Sequence, residues 1–488
     1  MSYDTIIIGA GFAGLGAAVG LKRDTDRSFL VLERGGDVGG TWRDNRYPGA
    51  ACDVPSHLYS FSWHPNPDWS RVFAPQPEIL DYLRGIVDHH GLGEHLRFGS
   101  EVVEVRWDGA EERWLVRTTH DEFHCAVVIV AVGHLSEPRT PAIQGLDGFG
   151  GPVFHSAAWD DEVDLAGRRV GVVGSGASAV QVVPGIADDV AGLVVFQRSA
   201  PYVTPRPDRA YTEAEKRTFR RLPDTMAAER EEFFWANEER YAQRRRILPL
   251  LERTADEALR HLRRQIPDPG LVERLTPDHT LGCKRVLKSD DYYPTFNLPH
   301  VRLETSGIAR AVEDGVVTED GTVHPLDVIV MCTGFEATDL PIAHRVFGRD
   351  GLALSEHWSD GMRAYATTAV HGFPNLWMIN GPNTGLGHNS SVYMTEVQID
   401  HIMGALTHMA SSGTGVLEVT SKAETEFADH VDRLSQGTVW LDGSCSSWYV
   451  DPRSGRLTTL WPDSAYRYRQ TNAGFDPTAY ARVSEAAR

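Results

Sequence analysis

Tyr3-Asp4-Thr5-Ile6-Ile7-Ile8-Gly9-Ala10-Gly11-Phe12-Ala13-Gly14 is the stretch on which the fold turns. Tyr3–Ile8 reads as a strand, Gly9-x-Gly11-x-x-Gly14 as a tight turn, and the run to about Lys22 as a helix. The three glycines do different work. The first permits the turn, the second lets backbone approach a pyrophosphate, and the third lets helix and strand pack closely. The helix N-terminus then offers free N–H groups and the positive end of its dipole to phosphates. A second strand, Ser28–Leu32, ends in Glu33, whose carboxylate suits ribose hydroxyls.

The pattern occurs twice. Arg169–Val173 leads into Gly174-x-Gly176-x-x-Ala179, a helix, the strand Leu193–Phe196 and then Arg198. In both copies the terminal charged residue lies 24 positions after the first glycine. Two such units predict an α/β chain with two Rossmann-like dinucleotide-binding domains. The second copy differs where a cofactor's ribose would lie, with Gln197-Arg198-Ser199 in place of an acid. A carboxylate there would repel a 2′-phosphate, whereas a guanidinium pairs with it. The first site therefore reads as FAD and the second as NADPH.

Around these units, Val127–Val132 with Gly133 reads as a strand, and Glu137-Pro138 to Pro141 as a link. Tyr211 to Ile266 is rich in Glu and Arg, with Leu251, Ala255, Ala258, Leu259, Leu262 and Ile266 at helical spacing, and reads as a helical insertion. Its Arg244-Arg245-Arg246 run is expected on a solvated helix face. Val328–Met331, with Thr333-Gly334, reads as the last strand of the second domain. The expected organisation is a first FAD-binding part over 1–145 and an NADP-binding domain over 146–334 with its insertion at about 208–270. A second FAD-binding part and C-terminal segment fill 335–488, and the last dozen residues are expected to fray.

With 488 residues, 41% hydrophobic and 24% charged, the chain can build a large core without metal or disulfide staples. Its formal net charge of -19 disfavours nucleic acid and anionic membrane surfaces as partners. The N-terminus runs straight into a strand, and no apolar run is long enough for a membrane span, so a cytoplasmic location is expected. The five cysteines, Cys52, Cys125, Cys283, Cys332 and Cys445, form no CxxC pair. That predicts a reducing compartment and no metal site, and the absence of a CxxxxC pair removes a disulfide reductase. Oligomeric state is not legible.

Two further stretches narrow the class. One is Gly39-Gly40-Thr41-Trp42 followed by Tyr47-Pro48-Gly49 and Asp53. The other is Phe149-x-Gly151-x-x-x-His155-x-x-x-Trp159-Asp160. Both resemble the fingerprints of the type I Baeyer–Villiger monooxygenases. The resemblance continues through Leu281-Gly282-Cys283-Lys284-Arg285, Asp290-Asp291-Tyr292-Tyr293, Cys332-Thr333-Gly334-Phe335 and Gly372 to Gly385. It spans about residues 3 to 465 and is weakest in the helical insertion. Ala51 departs from the arginine many members carry two residues before the aspartate. The chain is also short for the family, which implies trimmed substrate loops.

The resemblance implies an FAD-dependent, NADPH-consuming monooxygenase that inserts one atom of O2 into a small ketone, through a C4a-peroxyflavin, to give an ester or lactone. It casts Arg285 as the fixed cation beside flavin and nicotinamide, and Asp53 as the group that holds it. Lys284 joins Arg198 and Ser199 around the 2′-phosphate, and Trp440 lies near the nicotinamide end. His155 and Trp159 act indirectly, near the hinge. Asn383 and Thr384 occupy a loop before a helix starting near Asn389 or Ser390, which would aim backbone N–H groups at the flavin edge. Three other readings stay open: a nitrogen- or sulfur-oxygenating relative, an NADPH oxidase or reductase, and a redox sensor. The combination of Asp53, Arg285 and Arg198 weighs against the sensor, which needs no oxygenation site.

Overall fold

The computed structural model describes residues 1–482, built around one mixed and one all-parallel sheet. In the first unit, strand β1 (Ser2–Ile8) leads through the glycine turn into helix α1 (Phe12–Asp24) and strand β2 (Phe29–Leu32). Helix α2 (Gln76–His89) follows, then strands β3 (Val102–Asp108), β4 (Arg113–Thr118) and β5 (Glu122–Val130). β1 lies between β5 and β2, parallel to both, while β3, β4 and β5 pair antiparallel. The apolar run expected at Val127–Val132 is thus the second half of a longer strand that ends at Val130. Alternation along β1 divides its side chains between two cores. Ile7 packs with α1, and Ile6 and Ile8 pack on the opposite face with Trp114 and Phe123.

The second unit is a five-stranded, all-parallel sheet. Strand β6 (Val153–His155) precedes β7 (Arg169–Val173), helix α3 (Ala177–Ile186) and β8 (Gly192–Phe196). The insertion then runs through α4 (Glu213–Arg221), α5 (Pro223–Glu238), the single turn α6 (Tyr241–Arg244), α7 (Leu248–Gln265) and α8 (Pro269–Leu275). Strands β9 (Val301–Glu304) and β10 (Val328–Met331) complete the sheet, in the order β9, β8, β7, β10, β6. β7 and β8 lie at its centre, as the repeated glycine unit requires.

The chain then returns to the first sheet, where β11 (Leu376–Met378) pairs with β5. Outgoing and returning links run side by side: Arg139 N–H donates to Gly334 O at 2.9 Å, and Glu336 N–H to Glu137 O at 2.9 Å. Helix α9 (Ser391–Ser412) packs on α1, and α10 (Ser421–Ser435), the short α11 (Val439–Asp442) and α12 (Ala465–Asn472) follow.

Three expectations are corrected here. Cys283 and Cys445, 162 residues apart, are joined as a disulfide, although neither lies in a spacing that signals one. Of the tail expected to fray, Pro477–Ala479 forms a helical turn and Tyr480–Arg482 a strand against Leu417–Val419. Its remainder, 483–488, lies outside the described residues. The third is Arg244, which is buried rather than solvated. No helix among the described residues is long and apolar enough to cross a membrane.

Candidate active site

The first glycine turn is shaped as its sequence demands. Gly9 has φ +103°, and a Cβ there would sit 2.7 Å from the Ala131 carbonyl oxygen. A Cβ on Gly14 would overlap the Gly9 carbonyl, so only glycine lets α1 start against the strand. Gly39 N–H donates to Ala10 O at 2.9 Å, and this lays Gly40 over Gly11, with the backbones face to face. Glu33 closes the turn: its buried carboxylate accepts from Ala10 N–H at 2.9 Å, Gly35 N–H at 2.7 Å and Arg43 Nη1 at 2.7 Å. Trp42, in the turn Thr41–Asp44, donates its indole N–H to the Tyr59 hydroxyl at 3.1 Å. Thr41 is exposed beside it.

The second turn repeats the geometry. Gly174 has φ +118°, and a Cβ there would collide with the Cys332 carbonyl. A Cβ on Gly176 would meet nothing within 4 Å. That backbone therefore faces open space, as close approach of a pyrophosphate requires. Ala179, in the first turn of α3, is fully buried. At the end of β8, Arg198 is exposed, and Lys284 Nζ donates to the Ser199 hydroxyl at 2.8 Å. Burial and the nearby Arg198 cation press the Lys284 pKa down against the pull of Asp278. Two cations and a hydroxyl thus meet at one strand end, the donor set a phosphomonoester needs.

The two fingerprints, about 110 residues apart in sequence, pack on each other. The Tyr47 and Trp159 rings lie 6.5 Å apart, and Arg46 donates to the Trp159 carbonyl at 3.1 Å. Tyr47 also donates to Gln181 Oε1 on α3 at 3.1 Å, and Gln181 returns a hydrogen bond to Ala51 O at 2.9 Å. A Cβ on Gly49 would stand 2.8 Å from the Gln181 carbonyl. His155 lies at the end of β6, accepts from Ala157 N–H at 3.1 Å, and meets Phe335 edge-on at 5.6 Å. Both motifs are therefore joints between the nucleotide-binding units and the returning chain.

Four residues past Gly49, Asp53 meets Arg285. Arg285 Nη2 donates to Asp53 Oδ2 at 2.6 Å and Oδ1 at 2.8 Å, and Nε donates to Oδ2 at 3.2 Å. Lys288 Nζ holds the Asp53 carbonyl at 2.8 Å, and Arg206 donates to Cys52 O at 3.1 Å. Burial would raise the Asp53 pKa, but Arg285, Lys288 and Arg206 outweigh it and hold the carboxyl below the usual range. The same partnership lifts Arg285 further above its already high value. Lys288 moves the other way, pushed to about 8 by burial and by Arg240.

Arg285 keeps 40% of its side chain accessible and lines a cavity of about 770 Å³. The opposite wall comes from the insertion, with Arg240, Gln243 and Arg244, and the rim from Leu386 to Asn389. His388 is held there by Glu238, which accepts from its Nε2 at 3.1 Å and from Asn389 Nδ2 at 2.8 Å. The sequence reading missed Arg240, Lys288, Glu238, His388 and Tyr449, the last a buried phenol beside Arg285 and Arg244. Only the lysine carried a signal, by its position three residues after Arg285.

One other expectation comes out differently in part. Asn383 N–H donates to Thr458 O at 2.8 Å, so of the two expected N–H groups that of Asn383 is not free for a flavin edge. The Asn383 amide binds Leu457 O and Leu460 O, and the Thr384 hydroxyl turns back to Gly381 O. Trp440, on α11, is a core indole packed with Leu281 and Tyr449, and a Cβ on Gly387 would lie 3.0 Å from its ring. No metal site was expected. The fold does gather ring nitrogens of His64, His89 and His90 within 4.8 Å of one another, in a cluster that shares no residue with the cavity.

Residues 6–212 match the family described as pyridine nucleotide-disulphide oxidoreductase. A Baeyer–Villiger monooxygenase of Streptomyces coelicolor is 44% identical over 97% of this chain and 91% of its own length. One from Pseudomonas aeruginosa is 42% identical over 97% and 90%. Among solved structures, a cyclohexanone monooxygenase from Rhodococcus sp. Phi1 bound to NADP+ superposes with a TM-score of 0.87 at 30% identity, covering 97% of each chain. A steroid monooxygenase bound to NADP gives 0.85 at 30% identity over 99% of each. With two glycine turns that fit dinucleotides and the fingerprints that join them, the chain belongs to the Baeyer–Villiger monooxygenases and is a flavoprotein monooxygenase that works with FAD and NADPH.

Proposed function

We propose that this protein inserts one oxygen atom of O2 into a small ketone to give an ester or lactone, with Arg285 as the cation on which the chemistry turns. The observation that carries the proposal is the Asp53–Arg285 pair on the wall of a cavity large enough for a small organic molecule. FAD and NADPH, bound at the two glycine turns, would supply hydride transfer and the activation of dioxygen. Everything else falls to the chain. Gly9, Gly11, Gly14 and Glu33 with Gly40, Thr41 and Trp42 would hold FAD. Gly174, Gly176, Ala179, Arg198, Ser199 and Lys284 would hold NADPH.

Arg285 faces the cavity with a charge that no ordinary pH removes. It stabilises negative charge developing on the transferred oxygen and on the substrate carbonyl, and a guanidinium does not readily surrender a proton to quench it. Asp53 fixes the guanidinium plane, and Lys288 fixes Asp53. The insertion wall keeps bulk water from the reacting carbonyl. On this reading residues 1–145 and 335–488 form the FAD-binding part and 146–334 the NADP-binding part, in the cytoplasm.

Product analysis with purified enzyme, NADPH and a mixed offer of a cyclic ketone and a thioether tests the reading. Lactone should dominate. Sulfoxide without lactone would make the protein a heteroatom oxygenase, and hydrogen peroxide alone an NADPH oxidase.

A further inference from the structure

Arg240 and Arg244 stand four residues apart, before and at the end of the single turn α6, so their side chains share one face. Like charges at that spacing repel. Both line the cavity, and neither has an acidic side chain within 4 Å among the described residues. Arg244 is the more telling of the two. It is 4% exposed, and one nitrogen donates to Gly387 O at 2.5 Å. Its Nε and Nη1 are buried without a hydrogen-bond partner among the described residues. Buried guanidinium nitrogens left unpaired are costly, and the natural relief is an anion.

The protein does not supply that anion. Asp53 is committed to Arg285, and Glu238 to His388, Asn389 and the N–H groups of Ala465 and Tyr466. The acids that remain on the lining, Glu239 and Glu257, are exposed. A cavity wall with surplus positive charge in a chain of net charge -19 is a local reversal of the overall field. Nor do the cofactor phosphates account for it. The groups suited to them, Gly176, Arg198, Ser199 and Lys284, do not line this cavity.

We infer that the substrate is a ketone bearing a carboxylate, held by Arg240 and Arg244 while its carbonyl lies toward Arg285. The inference rests on the ketone-oxygenating reading and specifies its substrate class. Arg244 is set for the role, wedged between Gly282 and Gly387 where a side chain at either position would meet its guanidinium or stem. Its Nη2 is committed to Gly387 O, and its Nε and Nη1 pack against Gly387 and Gly282, so Arg244 offers a fixed positive charge rather than a two-pronged grip, and the half-buried Arg240 is the more accessible guanidinium. Lys288 and Arg253, on the same lining, add further positive charge.

The test uses the FAD-loaded enzyme with NADPH and two probes that differ only in charge, 7-oxooctanoate and its methyl ester. The acid should be preferred in kcat/KM by roughly ten- to a hundredfold, the range of a charge-assisted contact. That preference should fall toward one in Arg240→Gln and in Arg244→Gln. Octanoate should bind the wild-type holoenzyme by calorimetry, and about tenfold more weakly in either variant. If Arg244→Gln loses its flavin or its fold, Arg240→Gln decides alone. Equal use of acid and ester by the wild type would overturn the inference, as would a preference that survives in the variants. Failure of the underlying reading looks different: neither probe gives an ester product, while octanoate binding still follows the two arginines.

Discussion

Replacing Arg285 by alanine should separate hydride transfer from oxygen insertion. The substitution removes three hydrogen bonds to Asp53, at 2.6, 2.8 and 3.2 Å, and the one cation directly paired with it at the wall. Lys288 and Arg206 still face Asp53 in the variant. The wall therefore loses the positive charge paired with Asp53 and nearest to where, on the proposed reading, negative charge develops. Arg285 is 40% exposed, so an effective dielectric near that of a protein surface applies. Two unit charges about 4 Å apart then interact by about 4 kcal/mol. Removal of a single preorganised charge contact in an active site typically costs about 2.7–4 kcal/mol, a hundred- to a thousandfold in rate. The two figures agree.

The assay measures ester product, NADPH oxidation and hydrogen peroxide in one reaction. Arg285→Ala should retain FAD and still oxidise NADPH, with product formation down by about two to three orders of magnitude and peroxide taking its place. Asp53→Ala should show a milder form of the same defect, since it leaves the guanidinium present but unaligned. Undiminished ester formation by Arg285→Ala would refute the assignment. Loss of NADPH oxidation and product in equal measure would mean that the residue binds nicotinamide and does nothing afterwards.

Arg198→Ala should weaken NADPH use by roughly ten- to a hundredfold, the worth of a charge-assisted phosphate contact, and leave NADH use nearly unchanged. Steady-state kinetics with both cofactors read it, and equal losses would make the residue structural. Gly11→Val should abolish FAD retention while the fold survives, because the nearest atom to a Cβ there is Gly40 Cα at an ordinary 3.7 Å. Normal flavin absorbance in that variant would move the cofactor elsewhere. Lys288 titrates near pH 8, well below an ordinary lysine, so it is cationic below that value and neutral above it. Substrate KM for an anionic ketone should therefore rise as pH passes through 8, and Lys288→Met should flatten that limb. For stability the sign is opposite to that of a stabilising ion pair. The unfolded chain holds this proton up to pH 10 or so, so the cost of burying the charge is relieved between about 8 and 10.

The fold was legible because its signals are local. A strand, a glycine turn and a helix lie within some 20 residues, and their periodicities are fixed by backbone geometry. Arg169–Val173 and Val328–Met331 are strands over the very residues whose composition marks them. The misreadings share the opposite property. Arg244 sits in a basic run that looks solvated, but α5 ends at Glu238 and α6 restarts after Arg240, which resets the helical phase. What buries Arg244 is Gly387, some 140 residues later in the chain. The disulfide closes 162 residues, with no spacing to announce it. The N–H of Asn383 goes to Thr458 O, a carbonyl that no reading of the loop itself could place.

The nucleotide turns alone do not distinguish an oxygenase from a reductase, since each needs only glycines and a charged strand end. The distinction lies in the joint between them. Tyr47 and Gly49 abut α3, and Trp159 locks against Tyr47 from the far side, so the chain leaves the joint in a fixed direction. Asp53 follows four residues later and takes its position from that contact. Arg285 takes its own position from Asp53, through a segment that also carries Lys284 to the Ser199 hydroxyl. Two neighbouring residues, Lys284 and Arg285, therefore report on different places at once: one on the strand end suited to the NADPH phosphate, the other on the cavity wall. On the proposed reading, the fingerprints' glycines, tyrosine and tryptophan would set the distance between a bound cofactor and Arg285.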